Sequence, residues 1–384
     1  MPAPLGIDRM FFRRCLFLAF AFLLGSELQT SAVERVTMKR AGKSQQLAGR
    51  LEVEAQDGGI MLMTPDGQIW PILPEEIGER TNDDRPFKPL AKEELGRQLL
   101  TQLPPGFKVH TTQNYVIAYN TSQAYAQWVG ALYERLYRGF FTYWSHRKVD
   151  LKEPEFPLVA IVFDSQESYA AYARTELGDA TKTIIGFYSM RSNHVTMYDL
   201  TGIGDKATGA KINQILSQPA AERTVATIVH EETHQLAFNS GLQVRYADIP
   251  FWVSEGLAVF FESPDLDSSK GWRTIGAVNR YNLINFKKFV RTRQNDGLTT
   301  LLTDDKRFRD AKQAPDAYAE GWALNYFLLK TKPDEYARYL KLLATAKPLI
   351  DSTPEERAAQ FRSVFGDDLR SLEAEFLRYM RTVN

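Results

Sequence analysis

The chain predicts an α+β fold: a small β-rich module over about 33–104, then a larger unit over 105–384 that becomes a helical subdomain from about residue 282. Three observations predict it. Short apolar runs are punctuated by the turn signals Asp57-Gly58-Gly59 and Pro65-Asp66-Gly67. Two later runs, Tyr115–Tyr119 and Leu158–Phe163, are each followed by apolar residues at helical spacing. Beyond residue 282 helical spacing prevails. With 384 residues, 44% hydrophobic and 24% charged, the chain can bury one large core and a smaller one.

The first 32 residues read as a signal peptide. Arg9, Arg13 and Arg14 precede the apolar run Cys15–Gly25, and Thr30-Ser31-Ala32 offers a small-residue cleavage site. The run is shorter than the roughly twenty residues that cross a bilayer as a helix, so the expected location is secreted or periplasmic, with no membrane contact beyond this segment. Cys15 is the sole cysteine, so cleavage leaves neither a disulfide nor a thiol nucleophile. Lysine plus arginine and aspartate plus glutamate each number 47, and a balance of this kind provides no broad field for nucleic acid. Oligomeric state is not legible.

In the module, Leu51–Glu54, Ile60–Met63 and Gln68–Trp70 read as strands, while 78–89 is charged and reads as turns. Pro104-Pro105-Gly106 marks the boundary. Tyr115–Tyr119 is then a strand, Ser122–Trp144 a helix with an apolar stripe through Trp128, Leu132, Leu136 and Phe140, Leu158–Phe163 a buried strand, and Ser165–Leu177 a helix. Ile184–Met190 and Val195–Tyr198 form a hairpin around Arg191-Ser192-Asn193. The glycine-rich stretch 201–218 reads as a mobile loop and a candidate lid. Pro219–Asn239 is a helix capped by Gly241, a second starts at Pro250, and Ala317–Lys330 and Glu335–Ala346 are further helices.

The chemistry is carried by His230-Glu231-Glu232-Thr233-His234. Residues four apart share one helical face, so two imidazoles can hold one ion. Glu231, rotated by about a hundred degrees, reaches a water on the ion instead of the ion itself, and fits the role of general base. A catalytic zinc takes three protein ligands and keeps one position open. Glu255 is the candidate third ligand, because it is a carboxylate among Phe251, Trp252, Val253, Leu257, Ala258, Phe260 and Phe261, and a buried carboxylate without a cation is costly. Twenty residues separate it from His234, enough for one helix to end and a second to return.

H-E-x-x-H followed by Trp252-Val253-Ser254-Glu255-Gly256-Leu257-Ala258 resembles the gluzincin zinc metallopeptidases and the peptidase MA-like families among them. The resemblance implies a zincin-like domain with a mixed sheet packed on the motif helix, bound Zn2+, a peptide or protein substrate, and a sheet edge along which an extended substrate lies, for which the 184–198 hairpin is the candidate. The aminopeptidase branch carries a glutamate in a G-x-M-E-N segment. Gly186-Phe187-Tyr188-Ser189-Met190-Arg191-Ser192-Asn193 has no acid there, which favours endopeptidase action. Such enzymes need a donor for the developing oxyanion, and Tyr318 resembles a tyrosine that serves in MA-like families.

Glu320 and Glu262 read as supporting or solvated acids, Glu232 as a helix-surface or supporting acid, and His110, His146 and His194 as structural or surface residues, with His194 the one that borders the expected cleft. Trp128, Tyr133, Tyr137 and Phe141 read as core. Two rival functions stay open: an inactive zincin-like binding or scaffold module, and a zinc hydrolase of a non-peptide substrate.

Overall fold

A computed structural model describes residues 32–204, 207–218, 221–262, 275–293 and 297–384. The expected export segment lies outside them except for Ala32, which opens the first strand. The fold is α+β, with an N-terminal antiparallel sheet, a mixed sheet and a largely helical C-terminal part.

The first sheet is built from β1 (Ala32–Arg40), β2 (Lys43–Glu54), β3 (Ile60–Met63), β4 (Ile69–Ile72) and β5 (Ile77–Pro86), in the order β4-β3-β2-β1-β5. Ala41 and Gly42 join β1 to β2 with φ of 51° and 74°, the left-handed pair that a two-residue hairpin turn requires. Alternation along β3 divides its side chains. Ile60 and Leu62 join Val36, Met38 and Ile72 in a local core, while Met61 and Met63 face the main core. The charged stretch read as turns is instead strand β5. It is held by its ladder with β1 and by ion pairs across it, Arg80–Glu34 at 2.6 Å and Arg35–Asp83 at 3.0 Å.

α1 (Lys92–Gln102) leads to the second sheet, made of β6 (Lys108–Thr111), β7 (Tyr115–Tyr119), β8 (Leu158–Phe163), β9 (Gly186–Tyr188) and β10 (His194–Tyr198), in the order β6-β7-β8-β10-β9. The pairs β7–β8 and β8–β10 are parallel, and the outer pairs are antiparallel. α2 (Gln123–Ser145) and α3 (Gln166–Leu177) are capped by Ser122 and Ser165, each accepting a backbone N–H of the first turn. Strand alternation makes three layers. Val116, Ala118, Val159 and Ile161 pack against α1 and α3, whereas Tyr115, Ile117, Ala160 and Val162 pack against the side that holds α2.

The stretch 201–218 is not all loop: α4 (Gly209–Leu216) buries Ile212 and Leu216 and packs on α2. α5 (Glu222–Asn239) carries the motif, and Gly241 follows it at φ 75°. α6 (Phe251–Phe261) is buried at every position. The remaining helices are α7 (Arg280–Phe289), α8 (Gly297–Thr303), α9 (Lys306–Arg309), α10 (Ala314–Thr331), α11 (Pro333–Leu343), α12 (Pro354–Phe365) and α13 (Leu369–Thr382). Among the described residues no helix is long and apolar enough to cross a membrane.

Two contacts fix α6. A Cβ at Gly256 would fall 2.6 Å from the Gly321 carbonyl, so only glycine lets α6 lie this close to α10. At the start of α6, the Phe251 N–H donates to Asp305 at 2.9 Å, and Arg357 binds both Asp305 and Asp248.

Candidate metal centre

Helix period brings His230 and His234 to one face of α5, and the antiparallel return of α6 presents Glu255 to them. All three are buried. His230 Nε2 lies 3.1 Å from His234 Nε2 and 3.2 Å from Glu255 Oε2, and His234 Nε2 lies 3.8 Å from that oxygen. Ligands about 2.0–2.2 Å from an ion in a tetrahedron sit about 3.4 Å apart, so the three atoms fit three corners of one. Among the described residues Glu255 Oε1 and Glu231 Oε1 are buried without a hydrogen-bond partner, which is costly unless something else answers them. These three side chains could hold a metal ion, and the triad is consistent with an HExxH-type zinc site.

The surroundings orient each donor. Glu262 Oε2 lies 3.0 Å from His230 Nδ1 and its Oε1 accepts from Asn279 Nδ2 at 2.7 Å. With the ring proton of His230 on Nδ1 and shared with Glu262, the Nε2 lone pair is left for the centre. Glu231 Oε2 accepts the Tyr188 N–H at 2.8 Å, so the outer strand β9 anchors one carboxylate oxygen and leaves Oε1 free of protein bonds.

Burial lowers the pKa of His230, but hydrogen bonds with Glu255 and Glu262 outweigh it and carry the imidazole up to about 10. Burial would raise Glu255, yet the charge of His234 and the bond with His230 hold it at about 2. For His234 burial wins and the pKa falls. Burial lifts Glu231 to about 8, against the lowering effect of His230 and the Tyr188 N–H.

Tyr318, on the second turn of α10, comes to the same centre. Its hydroxyl faces Glu255, with Glu231 and Glu262 near, and makes no well-formed hydrogen bond among the described residues. Burial, then Glu255, holds its pKa well above the ordinary tyrosine value, so it stays a protonated donor.

Other expected residues fall elsewhere. Glu232 is fully buried, so its helix-surface reading is wrong: the second sheet covers that face of α5, and the Tyr115 hydroxyl donates to Glu232 at 2.5 Å. Glu320 is not solvated either; it pairs with Arg293 at 2.5 Å and Arg307 at 2.7 Å. His146 is exposed, His110 half-buried and His194 buried with both ring nitrogens unpartnered. Of the two readings open for Glu262, supporting or solvated, the supporting one holds, and the ring it supports is that of His230.

A cavity of 520 Å³ opens beside the centre, lined by His230, Glu262 and Tyr318 among others. It touches 180, 183 and 184 just before β9 but not Gly186–Tyr188, which are buried against α5. The hairpin exists with β9 outermost, and the Tyr188 N–H on it donates to Glu231. Among the described residues, none from 201–218 lines the cavity, so that stretch is not placed as a lid.

Residues 224–350 match the family described as "Protein of unknown function (DUF1570)". The match takes in His230, Glu231, His234, Glu255, Glu262 and Tyr318, but not Tyr188. No curated protein matches the chain.

Proposed function

We propose that the chain is a zinc-dependent peptidase of gluzincin type that cleaves peptides internally, outside the cytoplasm. The observation that carries this reading is the convergence of three buried donors at 3.1–3.8 Å with an anchored, half-satisfied Glu231 on the next position of the same helix.

His230, His234 and Glu255 would hold the ion, which when bound supplies Lewis acidity toward a carbonyl and makes water acidic near neutral pH. Glu231 takes the proton of the attacking water and delivers it to the leaving amine. The Tyr188 N–H holds its carboxylate in one orientation throughout. Tyr318, keeping its proton, gives a hydrogen bond to the oxyanion as it develops. Glu262 keeps the His230 ring in register. The apolar floor from Val259, Phe308 and Ala314 limits water around the reacting bond.

An inactive binding module is disfavoured, because it has no use for an anchored Glu231 with one bare oxygen. The test is incubation of the purified chain with a mixed peptide library and analysis of the products by mass spectrometry. Internal cleavage that chelation abolishes and added zinc restores is expected; a library left intact in zinc would refute the reading.

A further inference from the structure

The cavity runs outward from the centre along α5. Arg223, Ala226, Thr227 and His230 share one face of that helix, and all line the cavity. Arg223 is two turns before His230, a separation of about 10 Å along the axis. Arg280 lines the same end, and the Arg223 guanidinium rests on the Tyr281 ring at 4.3 Å. Both arginines are exposed, and among the described residues neither has a carboxylate at ion-pair distance. A third guanidinium, Arg309, lies over Phe251 at 4.9 Å and also lines the cavity.

The backbone adds charge of the same sign. The first turns of α5, α7 and α10 all line this cavity, through Arg223, Arg280 and Pro315. Each brings the positive end of a helix dipole, and α5 and α10 have no side-chain cap. Of the two acids in the lining, Glu262 is committed to His230 and Asn279, leaving Glu222 beside the two guanidinium groups of Arg223 and Arg280. Low-dielectric walls such as Ile184 and Val278 concentrate that field.

We propose that this end of the cavity is an anion subsite in which Arg223 and Arg280 receive a carboxylate of the substrate peptide. An extended peptide advances about 3.3 Å per residue, so the carboxylate belongs about three residues from the bond cleaved. The substrates are then acidic peptides, or peptides whose terminal carboxylate lies that close to the bond. This rests on the peptidase reading for its position, but the binding itself can be measured without turnover.

The experiment is calorimetric titration of the full zinc-loaded chain carrying Glu231→Gln. Its ligands are an amidated octapeptide with one glutamate, the same peptide with glutamine, and the glutamine peptide with a free C-terminus. We expect at least one carboxylate-bearing peptide to bind about tenfold more tightly than the amidated glutamine peptide, as charge-assisted bonds to arginine provide. Whether the glutamate or the terminal arm gains identifies the source. The preference should vanish in Arg223→Gln/Arg280→Gln, persist in Arg223→Lys/Arg280→Lys, and shrink with salt. Equal binding of all three peptides, no binding of either carboxylate peptide, or a preference that survives the double glutamine variant overturns the subsite. Carboxylate-selective binding without chelator-sensitive hydrolysis by the unsubstituted chain would keep the subsite and remove the peptidase.

Discussion

Two clusters of buried ionisable side chains flank α6, and their difference shows what separates a scaffold from a site. At the first residue of α6, Arg357 meets Asp248 at 2.5 Å and Asp305 at 2.9 Å, while the N–H groups of Ser352 and Phe251 donate to the same carboxylates. That cluster closes on itself. One turn later Glu255 faces two imidazole nitrogens, no Lys or Arg side chain joins them among the described residues, and carboxylate oxygens of Glu255 and Glu231 stay bare. Burial of charge is common to both; only the second leaves atoms that a ligand must answer.

Substitutions should divide along the same line. The largest effect is expected for Glu231→Gln, which removes the proton carrier: turnover of a peptide substrate falls about a hundred- to ten-thousandfold while metal content is unchanged. Loss of metal together with activity would instead make Glu231 part of the binding set. Arg357→Met should act on folding alone, since it removes the cation that Asp248 and Asp305 share. Urea denaturation should register a loss of about 3–5 kcal/mol, and metal stoichiometry should hold.

His194 provides a third contrast, a buried base whose ring nitrogens have no partner among the described residues. Burial lowers its pKa to about 4, Asp66 opposing and Arg191 and Arg245 assisting. Between about pH 6.5 and 4 the unfolded chain binds a proton that the folded chain refuses, so the stability this residue contributes is full above 6.5 and fades as pH falls to 4, by about 3 kcal/mol. Denaturation midpoints of His194→Phe should therefore decline less across that window than those of the unsubstituted chain; parallel declines would show that His194 titrates normally. Smaller still is Glu262→Gln, where loss of the orienting charge behind His230 should weaken zinc binding about ten- to a hundredfold in a competition titration.

The parts legible in the sequence were those whose reasons are local. His230 and His234 are joined by helical period, and Tyr115–Tyr119 and Leu158–Phe163 are continuous apolar runs that coincide with β7 and β8. Glu255 stood out because ten of the eleven residues of α6 are uncharged and apolar or small. What was missed depends on distant partners. β5 carries Asn82-Asp83-Asp84, which reads as a turn until β1 supplies its ladder and Arg35 its counter-charge. Glu232 reads as either a surface or a supporting acid until Tyr115, more than a hundred residues away, is found against it and removes the surface alternative. Glu262 was readable as a supporting acid, but which ring it supports is set only once the second helix folds back on the first.

The proposed chemistry depends most on one ion bound by three side chains from two helices. Mass-spectrometric metal analysis of the purified chain, after loading with zinc and exhaustive dialysis, tests this most directly, alongside a His234→Ala/Glu255→Ala variant checked for intact helicity. About one zinc per unsubstituted chain and none in the variant is the predicted result; zinc absent from both, or retained equally by both, would contradict it.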